Sequence, residues 1–499
     1  MTLIDKLQPL RQHGGPAITH GLPDDTLLAF ADRDPRLEQA VDAALGLFGC
    51  LKEEYPELLD RSEAEQLDDI QAGYINFYPG DAVNPYVALG AKGPWLVTLK
   101  GAVLYECGGY GMLGSGHAPD AVLNAMSQPH VMANIMTPSV SQKRFREALD
   151  REIGHTRGGN PFVGMLCLNS GSESVTLAAR ISDINAKIHT DPGGRHEGKP
   201  IHCLGLTGGF HGRTERPGRF SDSTRKSYTT HLASFRDRDN LVTVPPNDVA
   251  ALEQAFADAD RDGVFIEAMF LEPVMGEGNP GMAVTPEFYA AARRLTLEHG
   301  ALLLVDSIQA GLRAHGVLSV IDYPGFQELD PPDMESWSKA INAGQYPLSV
   351  LAVTERAAEL YRKGIYGNTM STNPRAMDVA VAVLNSLTPE LRRNVVERGA
   401  EMVGKLNALK DELGGAIVKV QGTGLLISAE LDPERFKSYG TDSSEEYMRI
   451  HGVNVVHGGK NALRYTPGFA LTSEEIDLMV DATRDALLHG PQKAASEAA

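Results

Sequence analysis

From about residue 96 the sequence alternates short apolar runs with stretches of helical periodicity, and that alternation restricts the fold more than any other feature. GMLCLN, IHCLGLT, VFIEAMFLEPV and ALLLVD read as strands, whereas SVTLAARISDINAKI and EFYAAARRLTLEHG place apolar residues at helical spacing. Strands alternating with helices of this length predict βαβ crossovers, hence an α/β fold with a mostly parallel central sheet whose ligands bind at the carboxyl ends of the strands. A chain of 499 residues exceeds one ordinary core, so two or more packed domains are expected.

Residues 1–95 mix an amphipathic helical segment, LEQAVDAALGLFGCLKEEY, with the Pro/Gly-rich YPGDAVNPYVALGAKGP and read as an N-terminal arm or extra lobe. Residues 96–382 form the large domain that carries the sheet. After about residue 383 come a long helix, ELRRNVVERGAEMVGKLNALKDELGG, short strands in AIVKVQGTGLLISAEL and a closing helix from SEEIDLMVDATRDALL. Residues 383–499 are therefore a smaller α+β domain. The 51 Gly and 29 Pro suit many tight connections between short elements.

Charge and cysteine usage exclude several functions. Lys plus Arg total 46 against 65 Asp plus Glu, a net charge of −19, which argues against generic binding to nucleic acid or to an anionic membrane surface. Cys50, Cys107, Cys167 and Cys203 are widely spaced with no CxxC pair, so neither a metal site nor a disulfide framework is suggested. The polar start MTLIDKLQPLRQHGG and the absence of a long apolar run make the cytoplasm the expected compartment.

Four segments carry candidate chemistry. NSGSES, residues 169–174, follows an apolar run and opens a helical stretch, where free backbone N–H groups make a phosphate seat. GGFHGRT brings together Phe210, whose ring can lie on a planar cofactor, and Arg213, which can bind a carboxylate through paired hydrogen bonds; His211 by itself reads as a structural histidine. ALLLVD ends an apolar strand in Asp306, a carboxylate that needs a partner once removed from water, and a protonated pyridine nitrogen suits it. Gln309 can donate to a phenolate oxygen on the same ring. Lys339, 33 residues beyond Asp306, supplies an amine able to form a Schiff base.

Taken in order, these segments resemble the class III (ω-amino acid) aminotransferases, which use pyridoxal 5′-phosphate on fold type I. The resemblance covers roughly residues 96 to 485 and rests on YGMLGSGHAPDAV (110–122), NSGSES, GGFHGRT, LEPVMGEGNPG (271–281), VDSIQAG, WSKA with GQYPL, GNTMSTNP (367–374) and LRYTPGF (463–469). It implies that Gly171 and Ser172 bind the phosphate, Phe210 stacks on the ring, Asp306 meets the pyridine nitrogen and Lys339 carries the cofactor and shuttles the proton. Thr369 matches a residue that reaches the phosphate across a subunit interface, which implies a homodimer with shared active sites. Arg213 matches an arginine that holds a substrate carboxylate, Glu277 and Arg464 match a pair that alternates between two substrates, and Tyr110 opens the first matching block as a further substrate contact.

The sequence departs from the family at Ser307, where an acidic residue is common, and in a GHAP segment one residue short. The expected activity is transfer of an amino group from a small-molecule amine or amino acid to an oxo acid, 2-oxoglutarate being favoured by the Glu277 and Arg464 pair. The alternative on the same scaffold is a racemase, epimerase or aminomutase using the same lysine.

Overall fold

The protein is described by a computed structural model covering residues 2–107, 109–132, 135–236 and 240–493. Its contacts divide it into two compact units, one of Met1–Pro119 with Glu397–Gln421 and Ile427–Ala499, the other of Asp120–Val396 with Gly422–Leu426.

The second unit is built on a seven-stranded sheet: β1 Gly164–Leu168, β2 Ile201–Leu206, β3 Leu241–Val244, β4 Phe265–Leu271, β5 Leu302–Asp306, β6 Met334–Trp337 and β7 Ser349–Val353. The strands lie in the order β1-β7-β6-β5-β4-β2-β3. β7 runs antiparallel to both neighbours, and the pairs from β6 across to β3 are parallel. The mostly parallel α/β sheet read from the alternation is thus present. Every residue of β4 and β5 is buried, as it must be in central strands covered on both faces, which is why FIEAMFL and LLLVD do not alternate.

After β1 the chain turns into the helix Gly171–Thr190. Its start is fixed by a capping box, in which the Ser170 side chain accepts from the Glu173 N–H and the Glu173 carboxylate accepts from the Ser170 N–H. Val175, Ala178, Ile181, Ser182 and Asn185 recur at helical spacing and are buried against the sheet, where they meet a core that includes Phe220 and Phe270, stacked at 3.7 Å. Each such buried ring or aliphatic side chain stabilises the fold by about 1.5–3 kcal/mol.

The first unit contains the N-terminal helices, of which Pro35–Glu54 packs its Leu37, Val41, Ala44 and Phe48 face on the strands Ala88–Lys92 and Trp95–Thr98. Those two strands, with Val103–Glu106 and Val453–Asn454, form a four-stranded sheet. Residues 96–119, grouped by sequence pattern with the large domain, therefore pair with N- and C-terminal segments. At the other end, a boundary at 382/383 would cut the helix Pro374–Asn385, which packs on Val140–Glu152; the contacts divide the chain at 396/397 instead. Among the described residues no helix is long and apolar enough to cross a membrane.

Candidate active site

The carboxyl ends of β1, β2, β4, β5 and β6 converge on a cavity of about 170 Å³. Each strand delivers one chemical group to it because each apolar run stops there. β5 ends in Asp306, which is 5% exposed. The segment after β6 brings Lys339, β4 is followed by the buried Glu272, the turn after β2 carries Phe210 and His211, and the turn after β1 carries Gly171 and Ser172 at the start of the capped helix.

Lys339 has φ +50°, a left-handed conformation that costs a non-glycine residue about 1–3 kcal/mol and is held by the buried segment around it. Its Nζ donates to Gln309 Oε1 at 3.1 Å. The Nε2 of Gln309 is buried with no hydrogen-bond partner in the protein, so the carboxamide presents a donor that a bound acceptor would satisfy. Gln309 is kept there by the backbone: a Cβ on Gly276 would lie 2.1 Å from its Oε1.

Asp306 Oδ2 accepts from His211 Nδ1 at 2.9 Å, and its Oδ1 accepts from the Ile308 N–H at 3.2 Å. Both side chains of that pair are essentially removed from solvent. A carboxylate oxygen can accept a second bond, so Asp306 retains capacity for one more donor. His211 is thus a structural histidine whose partner is Asp306, which it orients; a lone residue between Phe210 and Gly212 gives no sequence signal of that partner.

Glu272 was likewise invisible as a site residue. Its Oε1 accepts from the Phe210 N–H at 3.0 Å and its Oε2 from the Gly276 N–H at 2.8 Å. Burial pushes its carboxyl up to about 7, opposed by the nearby His211 and the two N–H bonds and reinforced by the charge of Asp306.

The phosphate-seat region is closely built. Gly212 has φ +104°, and a Cβ there would meet Ser172 Oγ at 2.5 Å, so only glycine lets the two turns approach. Asn368 ties the turn bearing the exposed Thr369 to this helix start: its Nδ2 donates to Glu173 Oε1 at 2.9 Å, and its Oδ1 accepts from Asn169 Nδ2 at 3.0 Å.

Arg213 lies over the Phe210 ring at 5.4 Å and pairs with Glu277 at 3.8 Å. Tyr110 and Arg464 belong to the first unit, where the guanidinium lies 5.2 Å from the Tyr110 ring centre and the Gly111 N–H donates to Thr466 Oγ1. At Ser307, where the family commonly carries an acidic residue, the hydroxyl finds a buried carboxyl on the adjacent strand. Ser307 Oγ donates to Glu335 Oε1 at 2.6 Å, and Glu335 also accepts from the Ser319 hydroxyl and the Val320 N–H. Burial pushes the Glu335 carboxyl up to about 7 against these bonds.

The family model for class-III aminotransferases matches residues 78–487. The chain is a class-III aminotransferase. Among similar proteins, the acetylornithine aminotransferase of Xanthomonas axonopodis pv. citri is 31% identical over 314 residues, covering 62% of this aminotransferase and 71% of the relative. That of Neisseria meningitidis serogroup B is 28% identical over 407 residues, covering 80% and 93%. The ornithine aminotransferase of Toxoplasma gondii ME49 shares the fold at a TM-score of 0.71 with 23% identity, covering 88% of this chain and 98% of that one. The aminotransferase is accordingly a pyridoxal-phosphate enzyme, and its cavity suits that cofactor: an unpartnered buried donor on Gln309, a carboxylate with spare accepting capacity, an amine and a helix N-terminus face one space.

Proposed function

We propose that the enzyme passes the amino group of an amino-acid-like donor, of the kind named in its ornithine and acetylornithine relatives, to 2-oxoglutarate, as a cytoplasmic homodimer. The convergence of Lys339, Gln309 and Asp306 on one cavity carries this reading. When bound, the cofactor supplies a ring that withdraws electrons from the carbon bearing the amine. The chain supplies the rest. Lys339 attaches the cofactor and carries the proton on Nζ to and from that carbon. Asp306, oriented by His211, holds the ring nitrogen, Gln309 Nε2 donates to the phenolic oxygen, Phe210 covers a ring face, and the N–H groups at Gly171 and Ser172 receive the phosphate.

Arg213 binds a substrate carboxylate, with Glu277 as the counter-charge it leaves in order to do so; the 3.8 Å pair supports this. By family pattern Arg464, beside Tyr110, is the second cation proposed for a carboxylate, alternating with Glu277, and Thr369 serves the phosphate of a second subunit. Four free cysteines agree with a reducing compartment.

Absorbance of the purified protein with pyridoxal phosphate tests the assignment. L-Glutamate is expected to bleach the visible band and 2-oxoglutarate to restore it, while Lys339→Ala lacks the band and loses at least about 10²-fold in rate, the usual share of general acid–base catalysis. A band that no amino donor in a broad panel bleaches would point to a racemase, epimerase or aminomutase. No band at all would overturn the reading.

A further inference from the structure

Glu272 stands immediately after β4, a strand buried along its whole length, and its side chain is 5% exposed. A carboxyl taken out of water is costly unless its oxygens are bonded. Here both are bonded, to backbone N–H groups of two different loops: Phe210 after β2 and Gly276 after β4. β2 and β4 are neighbours in the sheet, so one carboxyl laces together the loops that leave adjacent strand ends. Each loop governs a group in the cavity wall. Phe210 presents its ring there, and Gly276 lies so close to the Gln309 carboxamide, which accepts from Lys339 Nζ, that a Cβ on it would come within 2.1 Å of Oε1.

We propose that Glu272 is a positioning residue that sets the spacing between the Phe210 ring and the Gln309 carboxamide, and so the slot into which the cofactor ring fits. The inference rests on the reading that this cavity holds pyridoxal phosphate. It explains why an ionisable group occupies a place where an apolar one would be less costly: two N–H donors converge there, and a carboxylate offers each its own acceptor. Glutamine cannot replace it, because an amide presents one oxygen and one NH₂, leaving one backbone N–H facing a donor. Aspartate keeps both acceptors but withdraws them by one methylene.

The test uses the full chain stripped of cofactor and titrated with pyridoxal phosphate, reading the dissociation constant and the visible circular dichroism of the bound ring. Glu272→Gln is expected to weaken binding about tenfold or more, the order for leaving one buried N–H without an acceptor, and to change the dichroic band because the ring sits differently. A purely structural role would lower the melting temperature yet leave the folded fraction with the wild-type constant and band; that result overturns the proposal. Where Glu272→Gln does not fold, Glu272→Asp is read in the same two ways with the same expectation. If the wild type itself shows no visible band, the cofactor reading fails. If the wild type binds and the folded variants bind identically, only the role of Glu272 falls.

Discussion

Glu335 is a carboxyl buried beneath the sheet end and held by Ser307, Ser319 and the Val320 N–H. Burial pushes it up to about 7, above the ordinary glutamate value of about 4.3, so the native protein keeps a proton that the unfolded chain releases. The stability attached to it is complete below about pH 4 and is lost as the pH rises through 7, a swing of roughly 3 to 4 kcal/mol. Urea unfolding between pH 5 and pH 8 is expected to give a falling stability in the wild type and a clearly shallower fall in Glu335→Gln, whose amide can serve the same three partners; an unchanged slope would refute this. Neither the bond of Glu335 to Ser307 nor the place of Glu272 in the site was legible, for different reasons. Glu335 reaches Ser307 only through the register that sets Val305 opposite Glu335, and register is a property of two strands at once. Glu272 bonds backbone N–H groups, which leave no mark on the residues that own them. Asp306 was legible because it is a charge ending an apolar strand, and Lys339 because it stands in order with Asp306 and the other matching blocks; by itself the lysine carries no such mark.

The helix Gly171–Thr190 turns a strand end into an anion seat, and its geometry depends on its first turn. Ser170→Ala removes the side-chain acceptor for the Glu173 N–H and should cost about 1 kcal/mol of stability. It should also weaken binding of inorganic phosphate, because the N–H groups that face the anion fray with the turn; calorimetry with phosphate and a denaturant curve on one preparation measure both. At this scale the sequence was most informative. The runs that became β1, β2, β4 and β5, and the helices between them, were recognisable because strands of a covered sheet are predominantly apolar, with single exceptions such as Glu267 in β4. The direction of β7 was not, since an apolar run such as SVLAV reads equally well either way.

For the whole molecule, the proposed dimer and cofactor make two coupled expectations. Sedimentation should give twice the chain mass of 53.8 kDa. Pyridoxal phosphate at 100 times its dissociation constant should raise stability by about 2.7 kcal/mol, seen as a higher melting temperature. A monomer that binds the cofactor with full affinity would contradict the shared-site arrangement. Domain limits were the least legible feature, because the N-terminal strands pair with Val453–Asn454, a partner hundreds of residues away that no local pattern announces. A similar separation governs β1, an edge strand whose neighbour in the sheet is β7, made about 180 residues later. The Ser349 hydroxyl at the start of β7 even holds the carbonyl of Ser170, the cap of the anion-binding helix. On a ribosome adding 5–20 residues per second, β1 waits about 10 to 40 s for that neighbour. The seat for the phosphate is therefore finished only after most of the chain has been synthesised, and a nascent chain stalled before residue 349 would have its sheet open at that edge and no completed place for the cofactor.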